Sequence, residues 1–404
     1  MTETPEPVRI DDLLDPVFPD GVGEVLEAME ADADDLDWRP DTIRRIAVEA
    51  TGLDDFGDDL PDAGLELIAH IGETSASLRG SGRVSLHASL VHNATQRLLI
   101  VDHLRRHPEV GEIGIDRPIV IAGQARTGTT HLHNLIAADP ALRSLPYWEA
   151  CEPVPALDER RATHDIDPRY RRTADTLAGL NHVLPHFRRM HDMYPEHVHE
   201  EVELMKPAFG GMLWETTLCD SRYRDVYEAT DQTAMYEWLR TVLQVCTHLG
   251  GGDRWVLKSP QHVEQFGPLL SAFPDAVVVC THRDPVAVTR SFATMVTYAA
   301  RTSTRPEHLV DVAHYWVDRI ERMFRGYVRG RDLVPDDRSI DVHFDDFMAD
   351  DVAMVERIYE VADQPFTPAV RAAMDAFMAD HPRGKHGVVR TDLADLGHDT
   401  DERR

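Results

Sequence analysis

The chain has 404 residues, 42 Lys plus Arg against 71 Asp plus Glu, a formal net charge of -29 and 42% hydrophobic residues. That suits one large domain or two, and it starts from the wrong sign for a duplex nucleic-acid binder, which needs a basic face to displace counterions from phosphates. Of the charge, -17 falls in residues 1–66, which hold 21 acidic residues against 4 Arg. The four cysteines, Cys151, Cys219, Cys246 and Cys280, form no CxxC pair, so neither a zinc site nor a disulfide framework is expected. No basic leader precedes an apolar stretch at the start, and no run of 18 apolar residues occurs, so a cytoplasmic protein without an integral membrane segment is expected.

From Asp11 to about Arg106 the pattern is helical, with apolar residues at threes and fours over Val22–Met29, Arg39–Thr51 and one long stretch, Gly64–Leu104. Pro40 followed by Asp41 suits a helix start. At Pro118 the character changes to a compact apolar run, Pro118-Ile-Val-Ile-Ala122, then a glycine loop, then helical spacing again. Three more short apolar runs follow at Trp255–Lys258, Ala276–Thr281 and Ser339–Phe344, each succeeded by a helical pattern. Strands alternating with helices predict an α/β fold whose parallel sheet is covered on both faces. The full expectation is a P-loop-type parallel sheet flanked by helices, with an acidic helical N-terminal region over 1–110 and an α/β domain over 117–404. A long helical insertion at about 140–252, including the helix Asp231–Leu249, would shape an acceptor pocket.

The glycine loop reads Gly123, Gln124, Ala125, Arg126, Thr127, Gly128, Thr129, Thr130, with the GxxxxG spacing of a phosphate cradle between strand and helix. There, backbone N–H groups and the positive helix end suit an anion. A nucleoside-triphosphate loop would continue with Lys, whose side chain reaches the terminal phosphates; Thr129 stands in its place, which argues against ATP or GTP hydrolysis. Arg126 supplies a cation instead. Farther on, the run Thr281-His-Arg-Asp-Pro285 ends a strand and enters a helix carrying Ser291, so Arg283 and Ser291 are placed to converge on one anion at the sheet's edge.

These pieces resemble the sulfotransferases that use 3'-phosphoadenosine 5'-phosphosulfate (PAPS). The loop is similar to their 5'-phosphosulfate loop, and Arg283 with Ser291 has the spacing of their 3'-phosphate motif. Arg383-Gly-Lys385 resembles their late basic loop, though many relatives read Arg-Lys-Gly there, and Lys258-Ser-Pro260 with His262 resembles the second-strand motif of the bacterial and lipid-acting branch. The likeness runs over roughly residues 117 to 390. It implies that Arg126, Thr127, Gly128, Thr129 and Thr130 bind the 5'-phosphate, and that Arg283, Ser291, Arg383, Gly384 and Lys385 hold the 3'-phosphate.

Sulfuryl transfer would need cations against charge growing on the departing phosphate, for which Arg126 and Lys258 are the candidates. It also needs a general base for the acceptor hydroxyl. His182, His186, His191, His197, His199, Glu200, Glu201 and Glu203 crowd one segment. In the related bacterial branch an acidic residue before an apolar helix here serves as base, which points to Glu200 or Glu201, with His199 next. A sulfuryl group is less charged than a terminal phosphate, and the spacing of His197 and His199 suits no metal site, so no metal is expected. Tyr147, Trp148, Met190, Met193, Tyr194, Phe209, Met212 and Trp214 could line a pocket for a small hydrophobic alcohol, phenol, lipid or glycolipid acceptor. The competing readings are a P-loop nucleotide kinase or NTPase and a non-catalytic nucleotide-binding protein; whether the chain forms a homo-oligomer is left open.

Overall fold

The computed structural model describes residues 5–57, 62–161, 165–382, 384–390 and 392–397. A two-residue strand β1 (Val8–Arg9) is followed by helices α1 (Val22–Ala33), α2 (Pro40–Thr51), α3 (Asp62–Thr74) and α4 (Gly80–Arg106). Pro40 sits at the first position of α2, where its missing N–H costs nothing. The long helical stretch over Gly64–Leu104 is two helices, α3 and α4. The break at Ser75–Arg79 turns on tertiary contacts: Arg305 N–H donates to the Ser77 carbonyl and Arg79 N–H to the Ser303 carbonyl, so this link is drawn out of the helix by a distant loop.

Strands β2 (Ile119–Gly123), β3 (Val256–Ser259), β4 (Val277–His282) and β5 (Ser339–His343) form one parallel sheet in the order β3-β2-β4-β5. All four lie within two residues of the apolar runs, and among the described residues no strand intervenes between β2 and β3. Strands β3, β2 and β4 are buried on both sides because side chains alternate between two cores. Val120, Ala122, Leu257 and Val278 face a cluster with Leu239, Val242 and Leu243 of the helix Thr233–Gly250. Ile119, Ile121, Val277 and Val279 face the other way, toward Leu132, Leu135 and Ile136 of α5 (Thr129–Ala137) and Val355 and Ile358 of the helix Asp351–Ala362.

The chain leaves β2 on one side for β3 and returns on the other for β4. Loops at the carboxyl ends of neighbouring strands part there, which is where open parallel sheets bind ligands. The N-terminal helices share a third core with the insertion: Ile43, Ile68, Leu86 and Leu90 pack with Phe209, Met212, Trp214 and Tyr223. A last pairing, β1 with β6 (Val389–Arg390), was not foreseen and ties the N-terminal segment to the region just after Lys385. No helix among the described residues is long and apolar enough to cross a membrane.

Candidate active site

The glycine loop leaves β2 and enters α5 without a break. Gly123 is required by its neighbour: a Cβ there would lie 1.8 Å from Oγ1 of Thr281 on β4. That close approach lets the Thr281 and Thr127 hydroxyls bond at 2.6 Å, pinning the loop to the sheet. Gly128 has φ +88 and hands the chain to the N-terminus of α5, a conformation that would strain any other residue.

Arg126 is the unusual member, a non-glycine residue with φ 72. Such backbone costs of order 1–3 kcal/mol and persists only where surrounding contacts hold it. Arg283 Nη1 donates to the Arg126 carbonyl at 2.7 Å, Arg126 Nε donates to Ser291 Oγ at 2.9 Å, and Arg126 Nη1 donates to the Met190 carbonyl at 2.5 Å. The glycine loop, the strand-end arginine and the serine two turns into the helix Pro285–Ala300 are thus one constellation. Arg283 also stacks on Phe344, 4.0 Å from the ring centroid.

Burial, and then the charge of Arg283, pull the Arg126 guanidinium down to about 10. Arg283 is lowered too, by burial and by Arg290. Among the described residues no carboxylate lies within ion-pair distance of Arg126, Arg283 or Arg290, and the buried Nε of Arg290 has no partner. Asp284 and Asp345 offset part of the charge on Arg283 from a distance, but no described carboxylate pairs with any of the three guanidinium groups, so the arrangement suits a polyanion, which would relieve both their desolvation and their mutual repulsion. Arg290 escaped the sequence reading; its signal was its place beside Ser291 in the same motif.

Lys258 lies at the end of β3 and is 1% exposed. Its Nζ pairs with Glu200, while its N–H donates to Glu201 Oε2 at 2.8 Å. Glu201 Oε1 accepts from His262 Nε2 at 2.6 Å, and His262 Nδ1 meets the Tyr236 hydroxyl at 2.8 Å. Burial pushes the Glu201 carboxyl up, but the charge and hydrogen bond of His262 outweigh it and hold the group below its ordinary value. Glu200 and Glu201 therefore divide: Glu201 has both oxygens engaged inside the protein, whereas Glu200 keeps 22% of its side chain exposed and has only Oε1 engaged among the described residues. The segment they open, Glu201–Ala208, is a 3-10 helix. Pro207 removes an N–H from it, and the left-handed Phe209 ends it.

Four imidazoles surround this ammonium. His133 and His197 are driven down to about 3 by burial first and then, among their neighbours, by Lys258. His191 and His199 fall well below the usual histidine value, again by burial and then by neighbouring histidines. These shifts keep all four neutral at pH 7, and the buried nitrogens His133 Nδ1, His197 Nε2 and His199 Nδ1 have no hydrogen-bond partner among the described residues.

A cleft of about 260 Å³ opens against Arg126, Thr130, His191, His197, Lys385 and Tyr194. The late loop closes one side of it: Gly384 has φ 70, and Asp192 receives His386 Nε2 at 2.8 Å and Lys385 Nζ at 3.3 Å. Lys385 and Arg126, about 260 residues apart in the chain, thus border one cavity; Arg383 lies outside the described residues. Of the suggested pocket lining, Met190 and Tyr194 reach the cleft, but Phe209, Met212 and Trp214 are spent on the core shared with the N-terminal helices. Their helical neighbourhood could not reveal which apolar side chains pack inward and which face a ligand.

The profile of the sulfotransferase family matches residues 118–368. No curated protein sequence matches the chain. Among solved structures, the sulfotransferase STF9 from Mycobacterium avium superposes with a TM-score of 0.79 at 27% identity, covering 91% of this chain and 94% of that one. The sulfotransferase STF1 from Mycobacterium tuberculosis H37Rv gives 0.77 at 25% identity, over 90% and 96%.

Proposed function

This chain belongs to the sulfotransferase family, and on that premise we propose that it moves a sulfuryl group from PAPS to a hydroxyl of a small acceptor. The observation that carries the donor assignment is the group Arg126, Arg283 and Arg290, three cations with no ion-paired carboxylate among the described residues, set around a glycine loop at a helix N-terminus. When bound, PAPS would supply the activated sulfuryl group and leave as 3',5'-bisphosphoadenosine.

On this reading the N–H groups of Gly128, Thr129 and Thr130 and the α5 dipole hold the 5'-phosphate, with Gly123, Gln124, Ala125 and Thr127 shaping the turn. Arg283, Arg290 and Ser291, with Gly384 and Lys385 of the late loop, take the 3'-phosphate. Arg126 and Lys258 stabilise charge growing on the departing phosphate oxygen, since fixed cations in a water-poor site need no reorganisation during reaction. Glu200 is the general base: its free Oε2 accepts the acceptor's proton while Oε1 remains on Lys258. Glu201 is a positioning residue, fixing the β3 end through the Lys258 N–H and His262. The neutral imidazoles exclude water and offer ring nitrogens to the sulfuryl oxygens. Met190 and Tyr194 favour an acceptor with an apolar body, an alcohol or phenol rather than a free sugar.

Calorimetric titration with 3',5'-bisphosphoadenosine, set beside ADP with magnesium, tests the donor. Tighter binding of the bisphosphate is expected, and preference for ADP with magnesium would remove the assignment. Labelled PAPS offered with alcohols, phenols, sugars and lipids then identifies the acceptor.

A further inference from the structure

The second concentration of histidines shares no residue with the cleft. It forms where α4 and the helix Thr233–Gly250 end side by side and the chain turns through Pro108–Glu112. From His107, Glu109 and His248 we infer a divalent transition-metal site of the zinc class, a clasp between the end of the N-terminal helices and the insertion.

The donor atoms already stand near coordination spacing. One ligand atom from each of the three residues lies within 4.8 Å of the others. His107 Nδ1 is 3.2 Å from Glu109 Oε1, and His248 Nε2 is 3.7 Å from the same oxygen. Metal bonds of about 2.0–2.1 Å in a tetrahedron place neighbouring ligand atoms about 3.3–3.4 Å apart, so Glu109 already stands near coordination spacing from both imidazoles, and the two rings, whose ligand atoms lie within 4.8 Å, would close on the ion. Water would take the fourth position: the three side chains are 35%, 60% and 28% exposed, which leaves an entry path.

Two surrounding features favour a cation. His248, coordinating through Nε2, would donate its Nδ1–H to His103 Nε2, 3.1 Å away, and His103 is 3% exposed. A hydrogen-bond acceptor for the other ring N–H, commonly a carboxylate, carbonyl or water, orients a ligating imidazole, and His103 holds that place here. His103 and His248 also lie in the last turns of their helices, where the dipole's negative end attracts positive charge. The neighbouring cation, Arg106, is already paired with Asp102 at 2.7 Å. Imidazole nitrogen with one carboxylate selects zinc, nickel or copper over magnesium or calcium, which prefer all-oxygen shells.

Chelator-treated full-length protein titrated with Zn²⁺ by calorimetry, and with Co²⁺ by visible absorption, tests the site. One ion per chain is expected, with a cobalt spectrum of tetrahedral type and a higher unfolding midpoint in its presence. His107→Gln and His248→Gln should each weaken binding at least tenfold, and His103→Gln by roughly ten- to a hundredfold. Glu109→Gln, at the most exposed of the three ligands, keeps the test valid if a histidine variant fails to fold, and it too should lose at least tenfold. Zinc affinity and stoichiometry unchanged in both His248→Gln and Glu109→Gln, or no binding by the unaltered protein, would overturn the site.

Discussion

Arg126 Nε donates to Ser291 Oγ at 2.9 Å, joining two segments 165 residues apart. The same guanidinium reaches Met190 of the insertion, so a hydroxyl on one helix helps aim the cation of the glycine loop. Ser291→Ala removes the bond from a charged donor, an interaction worth about 1.5–3 kcal/mol. Affinity for 3',5'-bisphosphoadenosine should fall roughly tenfold or more, with kcat also reduced because Arg126 loses its aim. Unchanged calorimetric affinity and kcat would separate Ser291 from the site.

Arg283 does two jobs, donating to the Arg126 carbonyl and presenting its charge beside Arg290. Arg283→Ala should weaken the bisphosphate by one to two orders of magnitude, from loss of a charge-assisted contact, and adenosine 5'-phosphate much less. Equal weakening of both would refute its assignment to the 3'-phosphate.

Glu200 and Glu201 are adjacent but face different tasks, which gives opposite kinetic signatures. Glu200→Gln should lower kcat by about 10²–10⁴-fold, the usual contribution of a general base, while bisphosphate affinity is retained. Glu201→Gln breaks a buried contact with His262, so its main effect should be on stability, seen in urea unfolding. A Glu200→Gln enzyme with ordinary kcat at every pH would transfer the role to His197, whose free ring nitrogen borders the cleft.

The buried imidazoles make stability depend on pH. His133 and His197 titrate at about 3 in the folded chain, against an ordinary value of about 6.5 when unfolded. Between those values the unfolded state binds more protons, so stability rises with pH across the window and is lost as pH falls from about 6.5 toward 3. Each such group adds a slope approaching one proton, over about 1 kcal/mol per pH unit, once well below 6.5, and His191 and His199, lowered in the same direction, add to it. Urea unfolding at pH 7.5, 6.5 and 5.5 should show the decline, and His197→Gln should flatten it by about one proton. A level profile from 7.5 to 5.5 would mean that these rings are not held neutral.

The positions of the strands, the glycine loop and the Arg283–Ser291 motif were legible because each is a local pattern: apolar runs of strand length, glycines at fixed spacing, a charge at a strand end. The break between α3 and α4 was hidden, since the periodicity continues across it and the cause lies in contacts with residues 303 and 305. Lys258 could be named from its motif, but its burial could not.

By itself, then, the sequence determined the α/β class, the family and the identity of most anion-binding candidates. Each depends on residues close together in the chain. Only the tertiary structure decided that Arg126, Arg283 and Arg290 share one place with no ion-pair partner among the described residues, that Glu200 stays accessible while Glu201 is locked to His262, and that Trp214 belongs to a core. Those outcomes depend on which distant segments the parallel sheet brings to one edge. Burial, charge pairing and ring-nitrogen neutrality are properties of that assembled neighbourhood, so no stretch of chain carries them alone.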